Sequence, residues 1–207
     1  MKMRLIFIIL LIFFSEWSLY AQTTWVDSLI THLKTDKDRN FYGLSLNQDT
    51  LKILTTKAYT YYPFGEFNKP SKLISFLGDQ FRLSYIQVFT YCDTNGQVDT
   101  LFRFRSKSSI IDFFYQGFYG EDPPLMQIAK ASINGSDVSL INGVKVGMAL
   151  ADVFKIVIGC KMPYAAHSIN IIVADRALYG LTFYFCFNKQ KLVRIIISAA
   201  FKYCEKQ

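Results

Sequence analysis

The apolar positions of this chain fall into short, separate patches, most of them spaced as strands or short helices. Thr24-Trp25-Val26-Asp27 reads as a helix start, with Thr24 as N-cap and Asp27 placed where a carboxylate suits the helix dipole. The stripe Trp25, Val26, Leu29, Ile30 and Leu33 has helical spacing, and the polar run from Lys34 to Asn40 ends it. From Phe41 to Tyr62 the residues become β-branched and aromatic, which predicts strands at Leu51 to Thr56 and Ala58 to Tyr62. Pro70-Ser71-Lys72 opens a short helix through Leu73, Ile74, Phe76 and Leu77 that stops at Gly78. Phe81 to Tyr91 and Val98 to Arg105, joined by Asp93-Thr94-Asn95-Gly96, form the clearest hairpin signal. Strands are expected at Ile110 to Phe118 and, beyond the loop Tyr119 to Pro124, at Leu125 to Ile133. The turn Asn134-Gly135 then precedes Val138 to Ile141.

The last third has the most regular pattern. Asn142-Gly143 leads into Val144 to Met148, and Leu150, Val153, Phe154 and Val157 mark a helix over Ala149 to Ile158, closed by Gly159. Strands follow at Ile169 to Val173, Leu181 to Phe187 and Leu192 to Ser198, with Asn188-Lys189-Gln190 as the last turn. The pattern predicts an α+β fold, short helices layered on antiparallel β-sheet. The helix before one hairpin at Ser71 to Leu77 and before another at Ala149 to Ile158 suggests two related helix-plus-sheet halves.

One stretch stands apart. Lys2 and Arg4 precede ten unbroken apolar residues, Leu5 to Phe14. A bilayer-spanning helix needs about twenty apolar residues and a signal-peptide core about seven to fifteen. Residues 1–21 therefore read as a signal peptide cut after Ala21, with an uncleaved anchor as the alternative because Glu16 and Leu19 fit a small-residue cleavage site poorly. No cysteine follows closely to take a lipid. The expected product is periplasmic or secreted, a single domain over residues 22–207, without stable membrane insertion. Losing Lys2, Arg4 and Glu16 lowers the formal charge from +7 to +6. The remaining cations are dispersed and not clustered as a nucleic-acid surface would require, so nucleic acid is not an expected partner.

Export also bears on Cys92, Cys160, Cys186 and Cys204, whose even number permits disulfides of several connectivities. The hairpin turn at Asn188 to Gln190 makes Cys186–Cys204 the least favoured bridge, and pairings through Cys160 or Cys92 are preferred. Their separations are too wide for a zinc site.

Gly143-Val144-Lys145-Val146-Gly147-Met148, the helix with Asp152-Val153, Gly159, and the hairpin ending Lys191-Leu192-Val193-Arg194-Ile195 resemble a known pattern. It is that of the SmpA/OmlA (BamE) outer-membrane assembly lipoproteins and the β-lactamase inhibitor proteins, over about residues 140–198. The resemblance implies a small helical layer on antiparallel sheet and a role in binding other proteins. It transfers no catalytic residue, and the lipidated N-terminal cysteine of the lipoproteins has no counterpart here.

Candidate chemistry is sparse. His32 and His167 are the two histidines, and Cys160 with His167 or the adjacent Glu121-Asp122 are the only pairs that suggest a hydrolase. Neither forms a recognised catalytic motif, and no cofactor is implied. Recognition has better candidates. Tyr59, Tyr61, Tyr62 and Phe64, together with Phe118 and Tyr119, are aromatic positions of the kind that anchor protein interfaces. The expected function is a non-enzymatic binding module for another envelope or secreted protein, with a carrier of a hydrophobic small molecule or lipid as the alternative. The signal-peptide reading is checked by mass spectrometry of the exported product, which is expected to begin at Gln22 and to contain 186 of the 207 residues; a product that keeps Met1 to Ala21 would establish the anchor instead.

Overall fold

The computed structural model describes residues 29, 31, 41–47, 49–55, 62–90, 98–117, 126–162, 170–175 and 181–199. Strand dominates. Nine strands make one mixed sheet: β1 (Phe41–Asn47), β2 (Thr50–Thr55), β3 (Arg82–Thr90), β4 (Val98–Arg105), β5 (Ile110–Gly117), β6 (Met126–Ile133), β7 (Asn170–Asp175), β8 (Leu181–Asn188) and β9 (Lys191–Ala199). Two short helices are described in full, α1 (Pro70–Leu77) and α2 (Leu150–Ile158). The strand order is β1-β2-β7-β8-β9-β6-β5-β4-β3. Every neighbouring pair is antiparallel except β2 and β7, which run parallel, so the wholly antiparallel sheet expected from the sequence is corrected to a mixed one. The parallel pair arises because the chain leaves β2 and returns beside it only after α2, as a crossover connection requires.

Register places one apolar row across the whole sheet: Leu83, Phe104, Ile111, Ala131, Ile197, Phe183, Val173, Ile53 and Leu44 stand side by side on successive strands. A parallel row of Ile133, Ile195, Phe185, Ile171 and Leu51 lies on the same face. These residues, apart from edge-strand Leu83, belong with Leu73 and Leu77 of α1 and Leu150, Val153, Phe154, Val157 and Ile158 of α2 to one hydrophobic core or pack against it. Both helices therefore lie over this face. Leu29 also joins that core, and it and Thr31 are helical, as the first predicted helix requires.

The register shifts at four places. One is at Tyr42 on β1, and at the other three Ser84 on β3, Ala129 on β6 and Val193 on β9 are the extra residues. Each of these three puts residues three apart on one face: Leu83 with Ile86, Ile128 with Ala131, and Leu192 with Ile195.

The helices end where their sequences require. Pro70 occupies the first turn of α1, and Gly78 (φ 65) donates its N–H to the Ile74 carbonyl oxygen. Gly159 closes α2 in the left-handed region (φ 91, ψ 0), its N–H bonded to the Lys155 carbonyl oxygen at 2.9 Å. Elsewhere the reading of the sequence needs correction. β1 precedes the first expected strand, residues 58–61 of the second lie outside the described residues, and Tyr62 is not in a strand. Val138 to Ile141, which follows the Asn134-Gly135 turn, carries an isolated bridge between Ser139 and Lys145. Its Leu140 and Val138 are buried as a turn over the core.

Phe183 sits at the middle of the apolar row, fully buried and stacked on Phe185 with ring centroids 6.1 Å apart. Phe183→Ala is expected to cost about 3–5 kcal/mol of stability. Urea unfolding followed by circular dichroism checks it, and a loss under about 1 kcal/mol would mean that the row is not the centre of the core.

Candidate functional site

Of the six aromatic positions expected to meet a partner, Tyr62 and Phe64 are described, and Tyr59, Tyr61, Phe118 and Tyr119 lie outside the described residues. Phe64 is 4% exposed. Its ring lies 6.1 Å from those of Phe113 and Phe76, so it packs the space between α1 and β5 instead of presenting a surface. Tyr62 is half-buried, and its carbonyl oxygen accepts the Gly65 N–H at 3.0 Å.

Cys160 and Cys186 are not paired with each other. The sheet itself separates them. Cys160 packs against the core just after α2, whereas Cys186 stands opposite Arg194 on the other face of β8 and β9. Cys92 and Cys204 lie outside the described residues, as do His32, His167, Glu121 and Asp122. Among the described residues no group of three or more His, Cys, Asp or Glu side chains is placed to hold a metal ion. No described helix is long and apolar enough to cross a membrane.

The described surface feature that stands out is β3. It is the last strand of the sheet, bonded to β4 on one side. Its apolar side chains are open to solvent: Leu83 is 42% exposed, Tyr85 45%, Ile86 51% and Val88 59%. Leu83, Ile86 and Val88 lie on the core side of the sheet but beyond the reach of the helices, opposite Phe104, Phe102 and Thr100. Tyr85 and Arg82 are on the other face, opposite Arg103 and Arg105. Ile74 and Phe76 of α1, the helix leading into β3, are exposed as well.

Behind Tyr85 lies a polar pair fixed with precision. Arg103 and Asp112 are cross-strand neighbours on β4 and β5. The guanidinium grips the carboxylate with both arms, Nε to Oδ1 at 2.8 Å and Nη2 to Oδ2 at 2.7 Å. Asp112 is 3% exposed and Arg103 39%. The Arg103 guanidinium carbon also stands 5.7 Å from the centre of the Tyr85 ring, so the arginine links β3, β4 and β5 through one side chain.

A second polar group ties the turn between β4 and β5 to the end of β6. Ser106 and Ser109 donate their hydroxyls to the two Asp137 carboxylate oxygens at 2.5 and 3.2 Å. Ser109 Oγ accepts the Asn134 N–H, Asn134 Nδ2 donates to the Ser108 carbonyl oxygen, and Arg194 Nε donates to Asn134 Oδ1. Both serine hydroxyls are committed to Asp137 and Ser109 is buried, so the arrangement serves as a latch between loops. The carboxylate-serine spacing was not legible in the sequence, because Asp137 lies 31 residues from Ser106. The exposure of β3 was equally hidden, since being an edge is a property of strand order.

Comparison with protein-family models, curated proteins and solved structures finds no match to this chain.

The Arg103–Asp112 pair is tested by a double-mutant cycle. Arg103→Met leaves a buried carboxylate without its partner and is expected to cost about 2 kcal/mol, less than a fully buried pair because the arginine is partly solvated. Combining it with Asp112→Asn is expected to cost less than the two single changes added together, by about 1 kcal/mol in urea unfolding; strict additivity would show that the pair is not coupled.

Proposed function

We propose that this chain is an exported, non-enzymatic binding module for another envelope or secreted protein, and that β3 is at the centre of its contact surface. One observation carries the reading: four large apolar side chains, Leu83, Tyr85, Ile86 and Val88, are exposed together on one edge strand. Edge strands normally carry charges, prolines or bulges that prevent pairing with other chains. Here such devices are confined to one end, Arg82 and the Ser84 bulge, while Tyr85 to Val88 has none. Leu83, Ile86 and Val88 on one face, with Tyr85 and the arginines on the other, have the composition of protein contact sites. Lys2 and Arg4 before the apolar run Leu5 to Phe14 support placing that contact outside the cytoplasm.

The likeness to the SmpA/OmlA and β-lactamase-inhibitor module belongs to the same proposal. Residues 147–195 include the glycine-led helix α2 and the β8–β9 hairpin that the resemblance anticipates. The proposal extends to two related halves, α1 with β3 to β6 and α2 with β7 to β9. In each, a short helix precedes an antiparallel meander, and the last strands of the two, β6 and β9, meet antiparallel as a two-fold repeat would place them.

Chemical cross-linking of the tagged protein in its native envelope tests the reading. The expected result is one stoichiometric protein partner that is lost with Ile86→Glu, a change at an exposed position that leaves the circular dichroism spectrum unaltered. Recovery of bound lipid or small molecule with no protein would replace the reading by the carrier alternative.

A further inference from the structure

The exposed edge differs in character on its two faces, and that difference specifies what can bind there. On the core side β3 presents Leu83, Ile86 and Val88, all open to solvent. On the other face it presents Arg82, Tyr85 and Gln87. Arg82 stands directly opposite Arg105, and both are exposed. Like charges facing each other across an antiparallel pair are destabilising, and neither arginine is in an ion pair with a described carboxylate. On the neighbouring pair the described carboxylate, Asp112, is held by Arg103 at both oxygens. Lys130, next in that row beyond Asp112, is exposed and adds a further cation. This end of the sheet face therefore has cationic capacity that its own acidic groups do not fill.

We propose that β3 takes up an extended segment of a partner protein by strand addition, and that this segment alternates apolar residues with carboxylates. The proposal rests on the protein-binding reading above and specifies its chemistry. Backbone groups of the added strand pair with the outer edge of Tyr85 to Val88, where no described strand competes. Its apolar side chains pack beside Leu83, Ile86 and Val88 and extend the core face by one strand. Its opposite face places a carboxylate beside Arg82, where Arg105 on the next strand lies within a strand spacing of about 4.8 Å. The carboxylate thereby relieves the repulsion between the two arginines. A lysine-bearing strand would add a third cation to the same point and is disfavoured, as is a second copy of β3, which would bring Arg82 and no acidic residue of its own. Strand pairing supplies the affinity, and the arginine pair selects for acidic segments.

The test uses two synthetic nonapeptides with blocked ends, one alternating valine and glutamate and the other valine and lysine, added to the intact mature protein. Fluorescence anisotropy reads binding, and amide hydrogen exchange reads where it occurs. The valine-glutamate peptide is expected to bind and to slow exchange in β3, with binding weakened as salt is raised. Arg82→Glu is expected to weaken that peptide about tenfold and to strengthen the valine-lysine peptide by a similar factor, as reversal of one cross-strand charge pair predicts. Equal binding of both peptides, binding that leaves β3 exchange unchanged, or no binding at millimolar peptide would each overturn the proposal. Envelope cross-linking separates this from the broader reading. A partner recovered there, with β3 exchange unaffected by it, leaves a protein-binding module whose contact is elsewhere.

Discussion

The structure depends on one short junction, the antiparallel pairing of β6 with β9. Lys130 to Ile133 meets Ser198 to Ile195 there, and it is the only place among the described residues where the β3–β6 meander is bonded to the strands β7 to β9. A junction of so few residues holds because its core side is wholly apolar. Ala131 faces Ile197 and Ile133 faces Ile195, all buried, with Phe183 and Phe185 beyond them on β8. Opening it would expose the middle of the core on both sides, at roughly 25 cal/mol for each Å² of apolar surface returned to water. The strands on either side are thus joined into one sheet by burial more than by the hydrogen bonds of the junction itself.

The same strand is held at its other end by the segment leading into α2. Gly147 N–H donates to the Leu192 carbonyl oxygen, Leu192 N–H donates to that of Met148, and Leu150 N–H donates to that of Gln190, each at 2.8 Å. The segment takes the edge of β9 that β6 does not reach. It also supports an otherwise unfavourable turn. Lys189 and Gln190 both have positive φ, 47° and 62°, the geometry of a tight hairpin turn that usually uses asparagine or glycine. Non-glycine residues adopt it at a cost, and here the α2 lead-in bonds directly to the Gln190 carbonyl oxygen, so tertiary contact offsets the local strain. Helix α2, the β8–β9 hairpin and the turn between its strands form one interdependent unit.

This explains which parts of the fold were legible in the sequence. Helix α2 and the strands after it were read correctly because helical spacing, a glycine stop and strand runs occur in sequence order, and β7, β8 and β9 pair with their neighbours in sequence. The hairpin β3–β4 and helix α1 were legible for the same reason. What was missed depends on distant partners. Val138 and Leu140 are buried between exposed neighbours Ser139 and Ile141, in a turn held by the Ile141 N–H on the Pro63 carbonyl oxygen and the Leu140 N–H on that of Val144. The parallel β2–β7 pair joins residues more than a hundred positions apart. The bulges at Ser84, Ala129 and Val193 break the alternation of two on which strand reading relies, and they leave apolar residues three apart, a spacing that imitates a helix. The candidate site suffered most. Aromatic density pointed to Phe64, a core residue, whereas the exposed apolar group on β3 became visible only when strand order made it an edge.

Physical economy gives that edge its meaning. Next to it, β4, β5 and β6 bury Phe104, Ile111, Phe113, Ile128 and Ala131 on the core side, and Arg103 spends both its arms on Asp112 and its face on Tyr85 to fix three strands in register. A sheet so well satisfied one strand inward has the means to protect its margin, and β1, at the other margin, places exposed Ser45 and Asn47 beside its half-buried leucines. β3 instead combines open apolar side chains, an unopposed arginine pair and the rigid backing of a part-buried ion pair. Rigid backing matters because an added strand gains most when the edge it meets is already ordered and little entropy remains to be lost. The features that make β3 a hazard for an isolated chain are the ones that prepare it to receive another strand.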